Sequence, residues 1–172
     1  MKISYPFLEN HINPEDLGFS VNADKENYSK RPSIYVLLSN DDGNIASIKY
    51  REEIGPMYPL PGGGVDEDEE WEQGLMREIK EEIGCDIKGI KPIGSFGSYD
   101  DKMMRCFQSI VCTAKLDGQP QPPKPTEDYE QGSELIWITM SELIKRLEDL
   151  AGPIDSMRDN RSCFTLEILK KY

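Results

Sequence analysis

The chain has 172 residues, 37% hydrophobic and 30% charged, which fits one soluble globular domain with a sizeable core rather than a disordered or fibrous chain. Its formal net charge of −12 argues against a nucleic acid polymer as partner, because such binding depends on Lys and Arg neutralising phosphates. Small anionic substrates stay open, provided something positive receives them locally, such as a divalent cation held by carboxylates.

Residues 1–30 are polar, with Pro14 and a turn-like NADKEN stretch, and read as an N-terminal extension packed on a domain of residues 31–172. No apolar segment follows Lys2, and runs such as Ile34 to Leu38 are too short to span a bilayer. The expected location is therefore the cytoplasm, with no membrane partner. Pro32 to Asn40, rich in β-branched and aromatic residues, reads as a buried strand. Asp41 to Asn44 is a strong turn, and Ile45 to Arg51 returns as a second strand, so the pair suggests a hairpin.

Met57 to Gly64, "MYPLPGGG", is a breaker-rich loop that leads into an acidic helix start. The helix is expected from Glu69 or Glu70 to Ile83, with Gly84 as its stop. Leu75, Ile79 and Ile83 recur every fourth residue and give it a buried stripe. Strands follow around Ile90 to Tyr99 and Met103 to Lys115.

Leu116 to Glu134 contains four prolines and the acidic cluster Glu127, Asp128 and Glu130; a loop that long in a compact domain is usually functional or mobile. Glu134 to Ile138 reads as a short strand. Thr139 and Glu142 have capping-box spacing for a helix from Ser141 to Leu150, ended by Gly152-Pro153. A last helix from Asp159 to Tyr172 carries Lys170 and Lys171 in its final turn, where they suit the helix dipole. Strands and helices mixed in this order predict an α/β or α+β sandwich with a mixed sheet.

Cys85, Cys106, Cys112 and Cys163 are scattered, and His11 is the lone histidine, so no familiar zinc spacing exists and buried reduced thiols are expected. The carboxylates of the first predicted helix say more. Glu78, Glu81 and Glu82 fall within about one third of the helix circumference, beside the Leu75-Ile79-Ile83 stripe. Like charges at these spacings cost roughly a few tenths of a kcal/mol per pair when exposed, and more near a protein wall. The ordinary explanation is a solvated acidic face, partly neutralised by Arg77 and Lys80. The chemical one is a hard cation, Mg²⁺ or Mn²⁺, that takes oxygen ligands.

The surroundings favour the second. Gly62, Gly63 and Gly64 can let backbone approach a ligand closely. From Gly63 the chain fits G-x5-E-x7-R-E-U-x-E-E-x-G-U, with U a bulky apolar residue. Gly63, Glu69, Arg77, Glu78, Ile79, Glu81, Glu82 and Gly84 all fall in register. This pattern resembles the signature of the Nudix hydrolases, and with the flanking segments the likeness extends over Ser33 to Leu150. Three positions depart from it. Cys85 fills the last apolar slot, Gly74 stands where a small residue such as alanine is usual, and Glu70 takes the usual Ser/Thr capping slot, so that Asp66 or Asp68 is expected to cap instead.

The resemblance implies an α/β/α sandwich that hydrolyses a nucleoside diphosphate linked to another moiety. It implies Glu78, Glu82 and Glu81 as Mg²⁺ ligands, with the Gly62 carbonyl completing the shell, and Arg77 and Glu69 as a pair that orients the glutamates and the loop. The general base is either Glu78 or a carboxylate outside the signature. Among Glu127, Asp128 and Glu130, the last is favoured by its closeness to the Glu134–Ile138 strand. Lys49 and Arg51, on one strand face, and Arg105, on another strand, are candidates for phosphate contact. Tyr58, Tyr99, Phe107 and Tyr129 are candidates for base stacking, with core packing the commoner role. The expected partner is a small-molecule nucleotide, and no sequence pattern selects which one. The resemblance allows a homodimer. The alternative to an enzyme is a Nudix-like nucleotide sensor without turnover.

Overall fold

Strand β2, Ser29–Ser39, runs through the middle of the sheet because both of its faces are apolar: Ile34, Val36 and Leu38 point one way, Tyr35 and Leu37 the other, and all five are buried. This is the near-continuous hydrophobic pattern of a strand covered on both sides. The computed structural model describes residues 10–20, 25–100, 102–121, 128–152 and 160–172, and Glu127 lies outside them.

The other strands are β1 (His11–Ile12), β3 (Ile45–Lys49), β4 (Gly62–Gly64), β5 (Asp86–Asp100), β6 (Arg105–Asp117) and β7 (Glu134–Ile138). They form one mixed sheet in the order β1-β5-β6-β2-β3-β7, with β4 also on β2. β2 runs parallel to β6 from Ser29↔Arg105 to Ser39↔Lys115, and β5 and β6 form a long antiparallel pair.

The predicted hairpin survives only at its mouth. β2 and β3 pair at Ser39↔Ile45, beside a tight turn in which the Asn44 N–H donates to Asn40 Oδ1 at 2.9 Å. Beyond that point β3 leaves β2 and pairs along its length with β7. The physical reason is the proline-rich segment wedged between them. The Val36 N–H donates to the Pro61 carbonyl at 3.0 Å, and the Ile48 N–H to the Pro59 carbonyl at 2.9 Å. The same segment continues as β4, antiparallel to β2 through Ser33↔Gly64, Ile34↔Gly63 and Tyr35↔Gly62.

Helices cover both faces of this mixed sheet, as the α/β reading requires. Helix α1, Trp71–Glu82, buries Leu75, Ile79 and, just past its end, Ile83 against Ile34, Val36, Leu38, Ile110 and Cys112. Glu70 is its N-cap residue, not Asp66 or Asp68 as expected, and the Gln73 side chain accepts the Glu70 N–H at 3.1 Å. Helices α2, Met140–Ala151, and α3, Asn160–Lys171, pack on the opposite face. Leu143, Leu147, Phe164 and Ile168 meet Tyr35, Leu37, Ile93 and Phe96 there, and Phe96 stacks on Phe164 at 4.9 Å. Thr139 caps α2 by accepting the Glu142 N–H at 3.2 Å.

The described part of the N-terminal segment packs on this structure. β1 extends the sheet beside β5, and Phe19 stacks on Phe164 at 5.6 Å. The four cysteines are free thiols; burial pushes the Cys112 thiol up to about 12, which leaves it protonated and inert at neutral pH. Among the described residues, no helix is long and apolar enough to cross a membrane.

Candidate active site

The glycine run and α1 face each other because β4 has no side chains to hold them apart. A Cβ on Gly62, whose φ is +127°, would stand 2.1 Å from the Ile34 carbonyl oxygen, and one on Gly63 would stand 2.6 Å from the Glu78 carboxyl carbon. Glycine at both positions therefore lets β4 sit on β2 and lets the Glu78 carboxylate reach the strand. The Glu82 carboxylate accepts the Gly62 N–H at 2.8 Å, so the helix and the strand are joined by a charged acceptor.

Arg77 organises the rest. Its Nε and Nη2 donate to the two Glu69 oxygens at 2.8 and 2.9 Å, a bidentate pair of the strong, planar kind. Nη2 also donates to the Gly64 carbonyl at 2.8 Å, and Nη1 to Glu78 Oε1 at 2.9 Å. Glu81 stands farther off, 3.5 Å from Nη1. One guanidinium thus ties together the loop, the strand and the helix. Glu69 in turn accepts the Asp66 N–H at 3.1 Å.

The electrostatics divide along the same lines. The hydrogen bonds from Arg77 hold the Glu69 carboxyl below the usual carboxylate range, and Arg77 itself is raised, chiefly by its bond to Glu69. Burial pushes Glu78 up, with Arg77 pulling it back. Burial pushes Glu82 much further up. The Gly62 N–H opposes that shift, while the charges of Glu78, Glu130 and Glu81 add to it.

These groups open onto a cavity of about 370 Å³, whose walls include Gly62, Gly63, Gly64, Arg77, Glu78, Glu81, Glu82 and Glu130. Glu130, on a short 3₁₀ turn at Asp128–Glu130, comes to this wall from the long proline-rich loop. Carboxylate and carbonyl oxygens form a set suited to a hard divalent cation. Among the described residues, however, no group of three or more His, Cys, Asp or Glu side chains is drawn together as a cation-holding cluster. Glu78 turns to Arg77 and Glu82 to the Gly62 N–H, so the expected ligands share a cavity without converging on one point.

Other sequence candidates stand elsewhere. Lys49 and Arg51 line a neighbouring depression under α2, which shares Tyr50 and Met57 with the first cavity. Lys49 is 3.8 Å from Glu134, and Arg51 donates to the Asp128 carbonyl at 3.3 Å. Arg105 pairs with Ser29 and Asp100 in the sheet and is not among the cavity's lining residues. Of the aromatic candidates, Tyr58 and Phe107 line the cavity, whereas Tyr99 packs edge-on against Tyr28; the Tyr129 side chain lies outside the description.

Arg31, Tyr35 and Arg161 also line the cavity, and sequence reasoning missed all three. Arg31 stands just before Pro32 at the start of the predicted strand, a position that could have drawn attention. Arg161 carries no local signal.

Comparison with known proteins bears on the family and the fold. A family profile described as the NUDIX domain matches residues 29–158. An RNA pyrophosphohydrolase of Wolbachia pipientis subsp. Culex pipiens is 45% identical over 56 residues, 33% of this chain and 34% of that protein. The NAD-capped RNA hydrolase NudC of Vibrio atlanticus is 28% identical over 137 residues, 78% of this chain and 47% of that protein. The chain thus spans less than half the length of either relative. Among solved structures, a NUDIX hydrolase from Nitrosomonas europaea superposes with a TM-score of 0.59 at 12% identity, covering 83% of this chain and 90% of the other. A MutT NUDIX hydrolase from Burkholderia pseudomallei gives 0.54 at 24% identity, covering 82% and 98%. At these identities the structural likeness speaks for the fold alone.

Proposed function

The chain belongs to the Nudix family, and on that footing we propose that it is a metal-dependent pyrophosphohydrolase that splits the diphosphate linkage of a nucleoside diphosphate joined to another group. The observation that carries this reading is Glu82: a half-buried carboxylate that desolvation pushes away from its charged form, beside Glu78, Glu81 and Glu130 on the wall of one cavity. A fold has no use for such a charge in isolation, since burying an uncompensated carboxylate is costly. A cation taken up by the site would offset that cost.

Glu78, Glu81 and Glu82, with the Gly62 carbonyl, would hold Mg²⁺ or Mn²⁺. Such an ion, when bound, makes a phosphorus centre more electrophilic and lowers the pKa of water. The chain's own groups do the rest. Arg77 fixes Glu78 directly and, through Glu69 and the Gly64 carbonyl, fixes the loop that frames the cavity. Glu130 is the base assigned to take the proton of the attacking water, with Glu78 the alternative. Either must come within hydrogen-bond reach of that water in the substrate complex. Glu69 acts only through Arg77 and is a positioning residue.

The relatives' names speak of RNA. The net charge of −12 favours a small nucleotide for this chain, because an extended polyanion meets repulsion along its length. The test is a turnover panel in Mg²⁺ and in Mn²⁺, covering nucleoside triphosphates, ADP-ribose, dinucleoside polyphosphates, nucleotide sugars, coenzyme A and short RNAs with triphosphate or NAD ends. Hydrolysis of at least one small nucleotide, lost in Glu82→Gln, is the expected result. A wild-type protein inert across the panel, or a Glu82→Gln variant as active as wild type, overturns the proposal. Tight nucleotide binding without turnover, unaffected by chelator, would identify a sensor instead.

A further inference from the structure

The cavity's walls carry charges of both signs. Its lining carries five carboxylates, Asp66, Glu78, Glu81, Glu82 and Glu130, against three guanidiniums, Arg31, Arg77 and Arg161. Arg77 is engaged with Glu69 and Glu78, so it serves the carboxylates. An anionic ligand entering here needs positive charge beyond any that a cation brings to the glutamates.

Arg161 is built to provide it. It lies in the first turn of α3, where a long cationic side chain would ordinarily reach into solvent. Instead it is half-buried, with its guanidinium carbon 5.0 Å from the centroid of the Tyr58 ring and Nη1 donating to the Tyr35 hydroxyl at 3.4 Å. The two tyrosines meet edge-on at 4.8 Å. The Tyr58 hydroxyl is in turn 2.5 Å from the Thr165 hydroxyl, buried one turn further along α3. Tyr58 therefore grips α3 at Thr165 and supports the arginine four residues earlier. A side chain held in this way loses little conformational freedom when a ligand arrives.

We infer that Arg161 is a specificity-determining residue, which receives a phosphate lying beyond the two phosphates of the linkage to be cleaved. Its guanidinium carbon lies over the Tyr58 ring, and a planar fork of N–H groups meets phosphate oxygens well. The residue stands outside the segment matched by the family profile, 29–158, so the preference belongs to α3 of this chain rather than to the signature. The inference deepens the function proposed above and rests on its premise that the cavity takes a phosphate-bearing nucleotide.

Two measurements test it. The first compares KM and kcat of wild type, Arg161→Gln and Arg161→Lys on a nucleoside triphosphate and on ADP-ribose. Loss of a hydrogen bond to a charged group raises KM about tenfold or more. Arg161→Gln is expected to show that rise on the triphosphate alone, with kcat held within about threefold and the melting temperature close to wild type. Arg161→Lys restores part of the loss, because charge returns without the planar fork. An equal KM change on both substrates, or none, overturns the inference; so does a rise that appears only with a falling melting temperature, which marks a strut between α3 and Tyr58.

The second measurement is equilibrium binding of inorganic tripolyphosphate and pyrophosphate with chelator present, which needs no turnover. Wild type is expected to prefer tripolyphosphate and Arg161→Gln to lose that preference. The same ratio in both proteins, or no binding to wild type, overturns the inference. If the preference depends on Arg161 while every nucleotide resists hydrolysis, the proposed activity fails and the anion site stands.

Discussion

The two faces of the sheet solve the same packing problem with opposite electrostatics. Under α2 and α3 the contacts are apolar and aromatic, with Phe96 stacked on Phe164 and Leu143, Leu147 and Ile168 fully buried. Under α1 a similar apolar stripe, Leu75, Ile79 and Ile83, is bordered by Glu78 and Glu82, which burial pushes away from their charged forms. One face is settled by its own packing. The other holds charge that the folded chain balances only in part, as expected where function competes with stability.

The sharpest way to separate the faces is Glu82→Gln. Removing a half-buried charge while keeping an acceptor for the Gly62 N–H should lower turnover at least about a hundredfold, a loss seen even for groups that merely orient metal ligands. The same change should raise the melting temperature of the chelated protein and abolish its rise on adding Mg²⁺. Activity assays beside thermal scans check both halves. A variant less stable than wild type in chelator would erase the contrast between the faces.

A matched pair of Gly→Ala changes comes next. A Cβ on Gly94 would press on the Ile168 side chain at 2.7–2.8 Å, inside the settled core, and should cost about 1–3 kcal/mol of stability with kcat of the folded protein unchanged. A Cβ on Gly63 would press on the Glu78 carboxyl at 2.6–2.7 Å, the far end of a side chain that can move aside. There the expected loss is about tenfold in kcat, since small misplacements of reacting groups cost that much or more, with little change in denaturant midpoint. Equal stability losses in the two variants would contradict the distinction.

The smallest effect is the dependence on pH. Glu82 has its folded-state pKa raised, so between the ordinary glutamate value and the raised one the native state holds more protons than the unfolded state. Stability of the chelated protein therefore falls as pH rises through that window. The melting-temperature gap between Glu82→Gln and wild type should widen as pH rises above about 5 and narrow when Mg²⁺ is added. A gap constant with pH would mean that the Glu82 proton contributes nothing.

Much of the α1 face was legible in the sequence because its signals are local. The Leu75-Ile79-Ile83 stripe, the Gly84 stop and the glutamates lie within one helix, and β7 and α2 likewise fall where Glu134 to Ile138 and the Thr139 cap predict. The signature also put Glu69 and Arg77 eight residues apart, and they meet. What escaped is non-local or runs against propensity. β4 is three glycines, a composition depleted in strands, and it pairs with β2 on the side that β3 leaves. β3 leaves its hairpin because two proline carbonyls of the segment that follows it, Pro59 and Pro61, take the N–H groups of Ile48 and Val36. Arg161 meets Tyr35 across 126 positions, and no spacing within either segment announces that contact.

The parallel pairing of β2 with β6 carries a consequence in time. Ser33 and Ser109, joined by a buried hydroxyl contact at 2.8 Å, are 76 positions apart, and the whole β2–β6 register has that same separation. Such pairing requires closing a long loop before any contact rewards it, and it is intrinsically slow. β5 and β6, adjacent in the chain, can pair early; β2 must then find its place on β6. Since β4 rests on β2 and Glu82 bonds to β4, the cavity cannot form before that long-range closure is made.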